Sequence, residues 1–257
     1  GGDASDTFSL TGTANQDDIQ LTPQSGTTVT AQANGVNPLL TVNLAAAVTS
    51  TFTVSGGGDT DAVTVHGSAG ANTIAVVRGV TTTVTVDATK RIDVAAAADT
   101  LTVAAGQGAD TIRVTGAQSS GVALTVDGGQ PSGLPGASGI DTMEVTNTTA
   151  GTTVYAPGAT DDSGTITTPD GAIPFYGLEV ANMTSFQASD VITAHGTNGP
   201  DQITLLNNGL NRIWVNNQTV IGFTAFGTVN LLGRFGEDLF SVTPVGLAGV
   251  TTINVDG

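Results

Sequence analysis

Apolar and polar residues alternate along most of the chain in runs of four to eight, the pattern of strands that bury one face. The clearest runs are TVTAQ at 28–32, STFTV at 50–54, DAVTV at 61–65, TTVTV at 82–86 and DTLTV at 99–103. DTIRV at 110–114, VALTV at 122–126, DTMEV at 141–145 and TINVD at 252–256 continue the series. Val, Ile and Thr fill these runs, and their β-branched side chains suit a pleated surface better than a helix. Helical periodicity is nearly absent. The Ala-rich AAAVTS at 45–50 is too short and too β-branched to argue for a helix. The fold class read from the pattern is all-β.

The strands carry a repeating signature. Asp, any residue, apolar, any residue, apolar recurs at Asp6, Asp17, Asp61, Asp99, Asp110, Asp141, Asp201 and Asp238, with Asn72 as a variant. Asp6 and Asp17, Asp61 and Asn72, Asp99 and Asp110, and Asp190 and Asp201 are each 11 residues apart. Between the members of a pair lies a short turn such as TGTANQ, HGSAGA, AAGQGA or HGTNGP. A short strand and a Gly-rich bend, recurring many times, is too regular for an ordinary sandwich and predicts a stacked repeat. DGGQPSGLPGASG at 127–139 reads as a loop at a repeat junction, and APGATDDSG at 156–164 and TPDGAIP at 168–174 as further turns. A division near residue 130 into two similar halves is the alternative; the chain is taken as one unit over residues 1–257, because the strand pattern continues across 127–139 unchanged.

Composition narrows the possible roles. Six Lys and Arg face 22 Asp and Glu, a formal net charge of −16. Nucleic acid and anionic membranes are disfavoured, since both need clustered cations. There is no cysteine, hence no disulfide and no thiolate metal site. No run of about 18 apolar residues is present to span a bilayer. High Thr, Gly and Asp with a single Lys reads as a secreted, bacterial cell-surface composition. No initiator methionine or signal peptide is seen, which suggests a processed chain or an excised segment.

VTVHGSAGANTIAV, YGLEVANMTSFQASDVITAHGTNGPDQITL, VNLLGRFGEDLFSV and LAGVTTINVDG resemble the degenerate repeats of very large secreted surface proteins from planctomycetes and related bacteria. Those repeats are in turn similar to RTX-type calcium-binding nonapeptides, Gly-Gly-x-Gly-x-Asp-x-apolar-x. The resemblance covers most of the chain and is weakest at 25–50 and 146–175. It implies a parallel β-solenoid with Gly and Asp turns at its corners, in which each coil must stack on its neighbours to bury an apolar face. Tandem antiparallel β-sandwiches are the alternative, set back by the 11-residue period and the missing core Trp.

The resemblance also implies calcium. GGDASDTFS keeps Gly1, Gly2, Asp6 and Phe8 of the nonapeptide, with Ala4 in place of the third glycine. GGGDTDAVT keeps Gly56, Gly57, Asp61 and Val63, with Asp59 at that place. Gly106, Gly108, Asp110 and Ile112 fit, as do Gly233, Gly236, Asp238 and Phe240; Gly196, Gly199, Asp201 and Ile203 are a weaker version. Asp3, Asp6, Asp59, Asp61, Asp110, Asp201 and Asp238 are therefore the candidate ligands for Ca²⁺, which takes six to eight oxygens. The departure is spacing, because facing turns need consecutive nonapeptides and these units lie 11 or more apart. The competing reading is that Gly supplies positive φ and Asp caps the turn through backbone N–H groups.

Other chemistry is thinner. Asp17–Asp18 and Asp161–Asp162 are adjacent, so strand neighbours among them would point to opposite faces. His66 and His195 precede glycine in matching turns, HGSAG and HGTNG, and read as repeat equivalents rather than metal ligands or a general base. GQGADT at 106–111 echoes a dinucleotide loop, but no helix pattern follows it. Trp214 in NRIWVNN reads as a core plug or edge cap, with a sugar platform as the rival.

The function expected is a structural repeat unit of an extracellular fibre, sheath or adhesin stalk that joins head to tail, as a homopolymer or as covalently continuous repeats. INVDG at the end and GGDASDTFSL at the start together resemble one internal turn and strand. Gly1, Gly2, Asp3, Phe8, Ile253, Val255, Asp256 and Gly257 would carry the junction. A carbohydrate- or surface-binding adhesin module is the alternative, with an exposed aromatic near Trp214, Phe223, Phe226 or Tyr176 and polysaccharide as the partner. An enzyme is not expected, since one Lys and five Arg are spread along the chain instead of clustering with acids.

Overall fold

The structure is a computed structural model that describes residues 6–44, 50–96, 98–129 and 139–257. It contains 24 short strands and, among the described residues, no helix. The first twelve begin with β1 (Thr7–Thr11), β2 (Asp18–Pro23), β3 (Thr28–Ala33) and β4 (Val36–Asn43). Next come β5 (Thr51–Ser55), β6 (Ala62–His66), β7 (Thr73–Val77) and β8 (Thr82–Val86). They end with β9 (Ile92–Val94), β10 (Thr100–Ala104), β11 (Thr111–Thr115) and β12 (Ala123–Asp127). The second twelve begin with β13 (Thr142–Thr146), β14 (Thr152–Pro157), β15 (Gly164–Thr168) and β16 (Gly171–Tyr176). There follow β17 (Val180–Thr184), β18 (Val191–His195), β19 (Gln202–Asn207) and β20 (Asn211–Val215). The last are β21 (Val220–Thr224), β22 (Thr228–Leu232), β23 (Leu239–Val242) and β24 (Thr252–Asp256).

These strands form two sheets of twelve. The chain crosses from one sheet to the other and back, so same-sheet neighbours pair in parallel, as in β1·β5, β6·β10 and β11·β13. The fold is an all-β solenoid flattened into two facing sheets. Inward positions alternate strictly with outward ones: Val63, Leu101 and Leu124 stack in line, as do Val65, Val103 and Val126. The buried side chains from both sheets make one continuous apolar core. Outside, Thr64, Thr102 and Thr125 stack on one another in the same registers.

Not every strand is parallel. Four three-stranded antiparallel meanders, β2–β3–β4, β7–β8–β9, β14–β15–β16 and β19–β20–β21, interrupt the parallel stack. In β7–β8–β9, β14–β15–β16 and β19–β20–β21 the first strand enters with two places of the sheet left empty and the next two fold back to fill them, whereas β3 and β4 extend the stack beyond β2 to its edge. Outer strands of a meander run the same way, so its flanks still offer parallel pairing to the coils on either side.

The pairing scheme of β1–β12 recurs in β13–β24. Every contact of the first set, from β1·β5 and β8·β7 to β3·β4, has its counterpart twelve strands later, from β13·β17 and β20·β19 to β15·β16. Each set supplies half of both sheets, and the two join only through β11·β13 and β12·β16. Sequence keeps a trace of the duplication. Asp190, His195 and Gly196 lie 129 residues after Asp61, His66 and Gly67, at the same places in β18 and β6. The junction loop expected at 127–139 lies mostly outside the described residues.

Candidate functional site: corner acids, outer groove and open ends

The recurrent Asp stands at the corner just before a strand, as Asp17 does before β2, Asp61 before β6, Asp110 before β11, Asp141 before β13 and Asp201 before β19. The 11-residue spacing carries the chain from one sheet to the other, so paired acids such as Asp99 and Asp110 lie before strands of different sheets, β10 and β11. The residues that stack are 31 to 44 apart in sequence. Asp17 donates its N–H to Asp61 Oδ1 at 2.8 Å, and Asp61 donates its own to Asp99 Oδ2 at 2.9 Å. In the other sheet Asn72 donates to Asp110 at 2.6 Å, Asp110 to Asp141 at 2.8 Å and Asp141 to Glu179 at 2.7 Å. Asp201 donates to Asp238 at 2.9 Å and Gly151 to Asp190 at 2.9 Å. A backbone N–H facing the stack axis needs an acceptor once buried, and the next coil's carboxylate supplies it.

Several corner side chains also close their own turn. Asp17 Oδ2 accepts the N–H of Thr13, Asn72 Oδ1 that of Ser68 at 2.8 Å, and Asp201 Oδ2 that of Thr197 at 2.7 Å. The turn passes close to the coil beside it. A Cβ on Gly67 would stand 2.0 Å from the Ala105 carbonyl oxygen, so only glycine fits there.

Stacking like charges has a cost. Burial, chiefly, together with the charges of Asp110, Glu179 and Asp127, raises the Asp141 carboxyl to about 6, although the Asp110 N–H pulls the other way. Asp110 and Asp127 are also raised, mainly by burial. Asp17 is lowered by hydrogen bonds from the Thr13 backbone and the Asn34 amide. Asp61, Asp110, Asp141 and Glu179 each keep one buried oxygen with no hydrogen-bond partner.

The expected calcium ligands do not converge. Asp61, Asp110, Asp201 and Asp238 stand single file along corner columns, with an oxygen of each committed to a backbone N–H. Asp59 is exposed and accepts the N–H of Thr60 at 2.9 Å, while its neighbour Asp61 is buried. Asp6 donates its N–H to Ser50 Oγ at 3.1 Å; Asp3, with Gly1 and Gly2, lies outside the described residues. Among the described residues no group of three or more His, Cys, Asp or Glu comes together as a metal site.

His66 and His195 end equivalent strands and face outward. His66 Nε2 meets Gln20 Oε1 at 2.5 Å, and His195 Nδ1 accepts from Arg234 Nη2 at 2.6 Å. Burial lowers both, and the Arg234 charge lowers His195 further. Asp17 is buried and Asp18 exposed, as strand neighbours should be.

The aromatics divide. Phe223 and Phe226 are buried and pack edge to face at 6.2 Å, which removes them from any exposed platform: Phe223 occupies an inward strand position. Tyr176 is 45% exposed. Trp214 is neither plug nor cap. It lies between the buried Ile213 and Val215, so alternation turns it outward, where it lines a shallow groove of about 270 Å³ with Gln202, Thr204, Leu206 and Asn216.

At both ends of the stack the apolar column runs out into solvent. Phe8 and Leu10 of β1, Phe240 and Val242 of β23, and Ile253 of β24 are only part-buried against the core. Val255 is 49% exposed and Leu40 of β4 42%. Their counterparts inside the stack, such as Ile112, Val114, Leu124 and Val126, are fully buried. Asp256 and Gly257 are exposed at the same end as Val255. No protein-family model, curated protein or solved structure is matched by this chain.

Proposed function

We propose that the chain is a structural repeat unit of a bacterial extracellular or cell-surface fibre, sheath or adhesin stalk, adding head to tail to neighbouring units. The observation that supports this reading is the pair of open ends on a duplicated solenoid. The core residues of β1, β23 and β24 are half-exposed at positions that are sealed wherever another coil follows. Edge strands with apolar faces invite pairing unless something covers them. The mechanism is mechanical: backbone ladders along the stack and a continuous apolar core resist extension and need no reacting group. Such a role also agrees with the resemblance to large secreted repeat proteins and with the excess of acid. Negative-stain microscopy of the purified chain over a range of concentrations, with and without calcium, tests it. Elongated assemblies are expected, and monodisperse single particles under every condition would overturn the reading.

A second reading rests on Trp214. An outward indole flanked by the amides of Gln202 and Asn216 and the hydroxyl of Thr204 is the kind of surface on which a sugar ring stacks. A glycan array with the native chain and Trp214→Ala tests it, and binding that survives the substitution would remove Trp214 from the account.

A further inference from the structure

The duplication carries its own template for what covers the open ends. Within the chain, the first set of twelve strands meets the second through two parallel contacts, β11·β13 and β12·β16. Because β13–β24 repeats β1–β12, β23 stands where β11 does and β24 where β12 does. By the same mapping, β1 and β4 are the counterparts of β13 and β16. One face of the chain therefore presents the surface that receives a repeat, and the opposite face presents the surface that is received.

We infer that a second copy of this chain docks its β1 and β4 edge onto the β23 and β24 edge of the first, in the register of the internal junction. This inference rests on the head-to-tail reading above and specifies its partner and geometry. Ile112 pairs with Met143 and Val114 with Val145 inside the chain. The equivalent pairs between copies are Phe240 with Phe8 and Val242 with Leu10 of the second copy. Both members of each pair are half-buried apolar residues that already pack against the core.

The second sheet gives a register as well. Val126 pairs with Phe175, which pairs with Gly164 and through it with Pro157. Val42 pairs with Val29 and through it with Pro23. Pro23 and Pro157 each lie two residues beyond the strand position that abuts β6 or β18, Leu21 and Tyr155. Val42 thus holds the place of Phe175, and Val255 of the first copy meets Val42 of the second. Two positions back along both strands, Ile253 meets Leu40, which at 42% exposure is among the open apolar residues of that edge.

The polar groups around these pairs agree with the register. Asp110 donates its N–H to the Asp141 carboxylate at 2.8 Å inside the chain, and Asp238 and Asp6 are the corresponding corner acids across the copies. Asn254 donates to Asn230 at 2.9 Å and Asn230 to Thr193 at 3.1 Å, an outward ladder that ends at the open edge. Its next rung between copies is Thr41, the residue between Leu40 and Val42. The contact uses different surfaces on the two copies, so it propagates instead of closing.

The outward positions opposite each other across the new contact are Ser241 and Ser9, the counterparts of Arg113 and Glu144, whose side chains meet at 2.8 Å. Both serines are exposed, and the chain has no cysteine to interfere. Adjacent strands about 4.8 Å apart bring the Cα atoms of such a pair within the span of a disulfide. The double variant Ser9→Cys/Ser241→Cys, oxidised gently after assembly, is expected to give a ladder of covalent multimers on a non-reducing gel. The shifted variant Ser9→Cys/Thr243→Cys should cross-link at least tenfold less. Filaments seen by microscopy without cross-linking of the in-register pair, or with equal cross-linking of the shifted pair, would overturn the register and leave the fibre reading standing. No multimers from either variant, together with single particles by microscopy, would overturn both.

Discussion

At the scale of the residue, the recurring Asp reconciles two demands that oppose each other. A corner N–H buried between coils needs an acceptor, and a carboxylate is a strong one. Stacking such acceptors places Asp110, Asp141 and Glu179 in one column, with Asp127 near it. Asp141 carries the penalty, its carboxyl raised to about 6 chiefly by burial. A carboxyl whose folded pKa lies above its unfolded value of 3.8 favours the folded state when protonated. Its contribution is complete below the unfolded value and disappears as pH rises through about 6. Asp17, Asp170 and Asp190 are lowered, so their contribution is lost only as pH falls below the ordinary carboxylate range. Going from pH 7.5 to pH 5, Asp141 therefore acts to raise the melting temperature, while His66 and His195, whose pKa values burial lowers, act to reduce it. Asp141→Asn keeps an oxygen for the Asp110 N–H and removes the charge, so it should raise the melting temperature at pH 7.5 and take the Asp141 contribution out of the slope. Calorimetry at both pH values checks this, and an unchanged slope in the variant would exclude Asp141 as its source. The corner role of Asp was legible in the Asp-x-apolar-x-apolar pattern. Its partners were not, because the acids that stack are 31 to 44 residues apart and the 11-residue spacing marks a crossing between sheets.

At the scale of the element, strand positions were legible and strand directions were not. TVTAQ at 28–32 and TTVTV at 82–86 alternate as cleanly as any parallel rung, yet they fall in β3 and β8, the middle strands of antiparallel meanders. Alternation reports which face is buried and is blind to which way the chain runs. The meanders have a signature of their own, found in three of the four. Asn34, Asp87 and Asn216 adopt φ of +54°, +50° and +52°, a left-handed conformation that Asn and Asp tolerate best among residues with a side chain. Each Oδ1 accepts the N–H that opens the first strand, from Asp18 at 2.8 Å, Thr73 at 2.7 Å and Gln202 at 2.8 Å. The other side-chain atom meets the corner residue, always as one Asn and one Asp: Asn34 with Asp17, Asp87 with Asn72, Asn216 with Asp201. The roles are reversed in the middle case, which shows that the pair matters and the order does not. Asn216→Asp alone should set two carboxylates against each other and destabilise the chain by about 1–3 kcal/mol. Adding Asp201→Asn rebuilds the hydrogen bonds of Asn72 and Asp87, with Thr197 in the place of Ser68, and should recover most of the loss. Urea unfolding of the single and double variants measures the coupling, and additive losses would refute the pairing.

At the scale of the whole molecule, the duplication was hidden by divergence in all but a few residues, with HGSAG and HGTNG its most visible remnant. The groove beside Trp214 shows how far the halves have parted, since Thr85 stands at the matching place in β8. What survived is the set of features that stacking requires: alternation, corner acceptors and meander turns. Under the head-to-tail reading proposed above, the same features would fix the dimensions of an assembly. Parallel neighbours lie about 4.8 Å apart, so twelve strand positions per copy give an axial repeat of about 58 Å, with a sub-repeat of about 29 Å from the duplication. Elongation must also overcome charge, because each copy brings a net −16 to a junction whose corner groups, Asp238 and Asp6, are themselves acidic. Repulsion between exposed charges is screened over about 30 Å at 0.01 M salt and about 10 Å at 0.1 M, whereas the apolar pairs Phe240 with Phe8 and Val255 with Val42 are insensitive to it. Assembly is therefore expected to be weak at about 0.01 M salt and to strengthen by an order of magnitude or more by about 0.3 M, without any divalent ion being needed. Light scattering across a sodium chloride series, repeated with a chelator present, measures this. Assembly that weakened as salt rose would mean that ion pairs, and not the exposed ends of the apolar core, hold the units together.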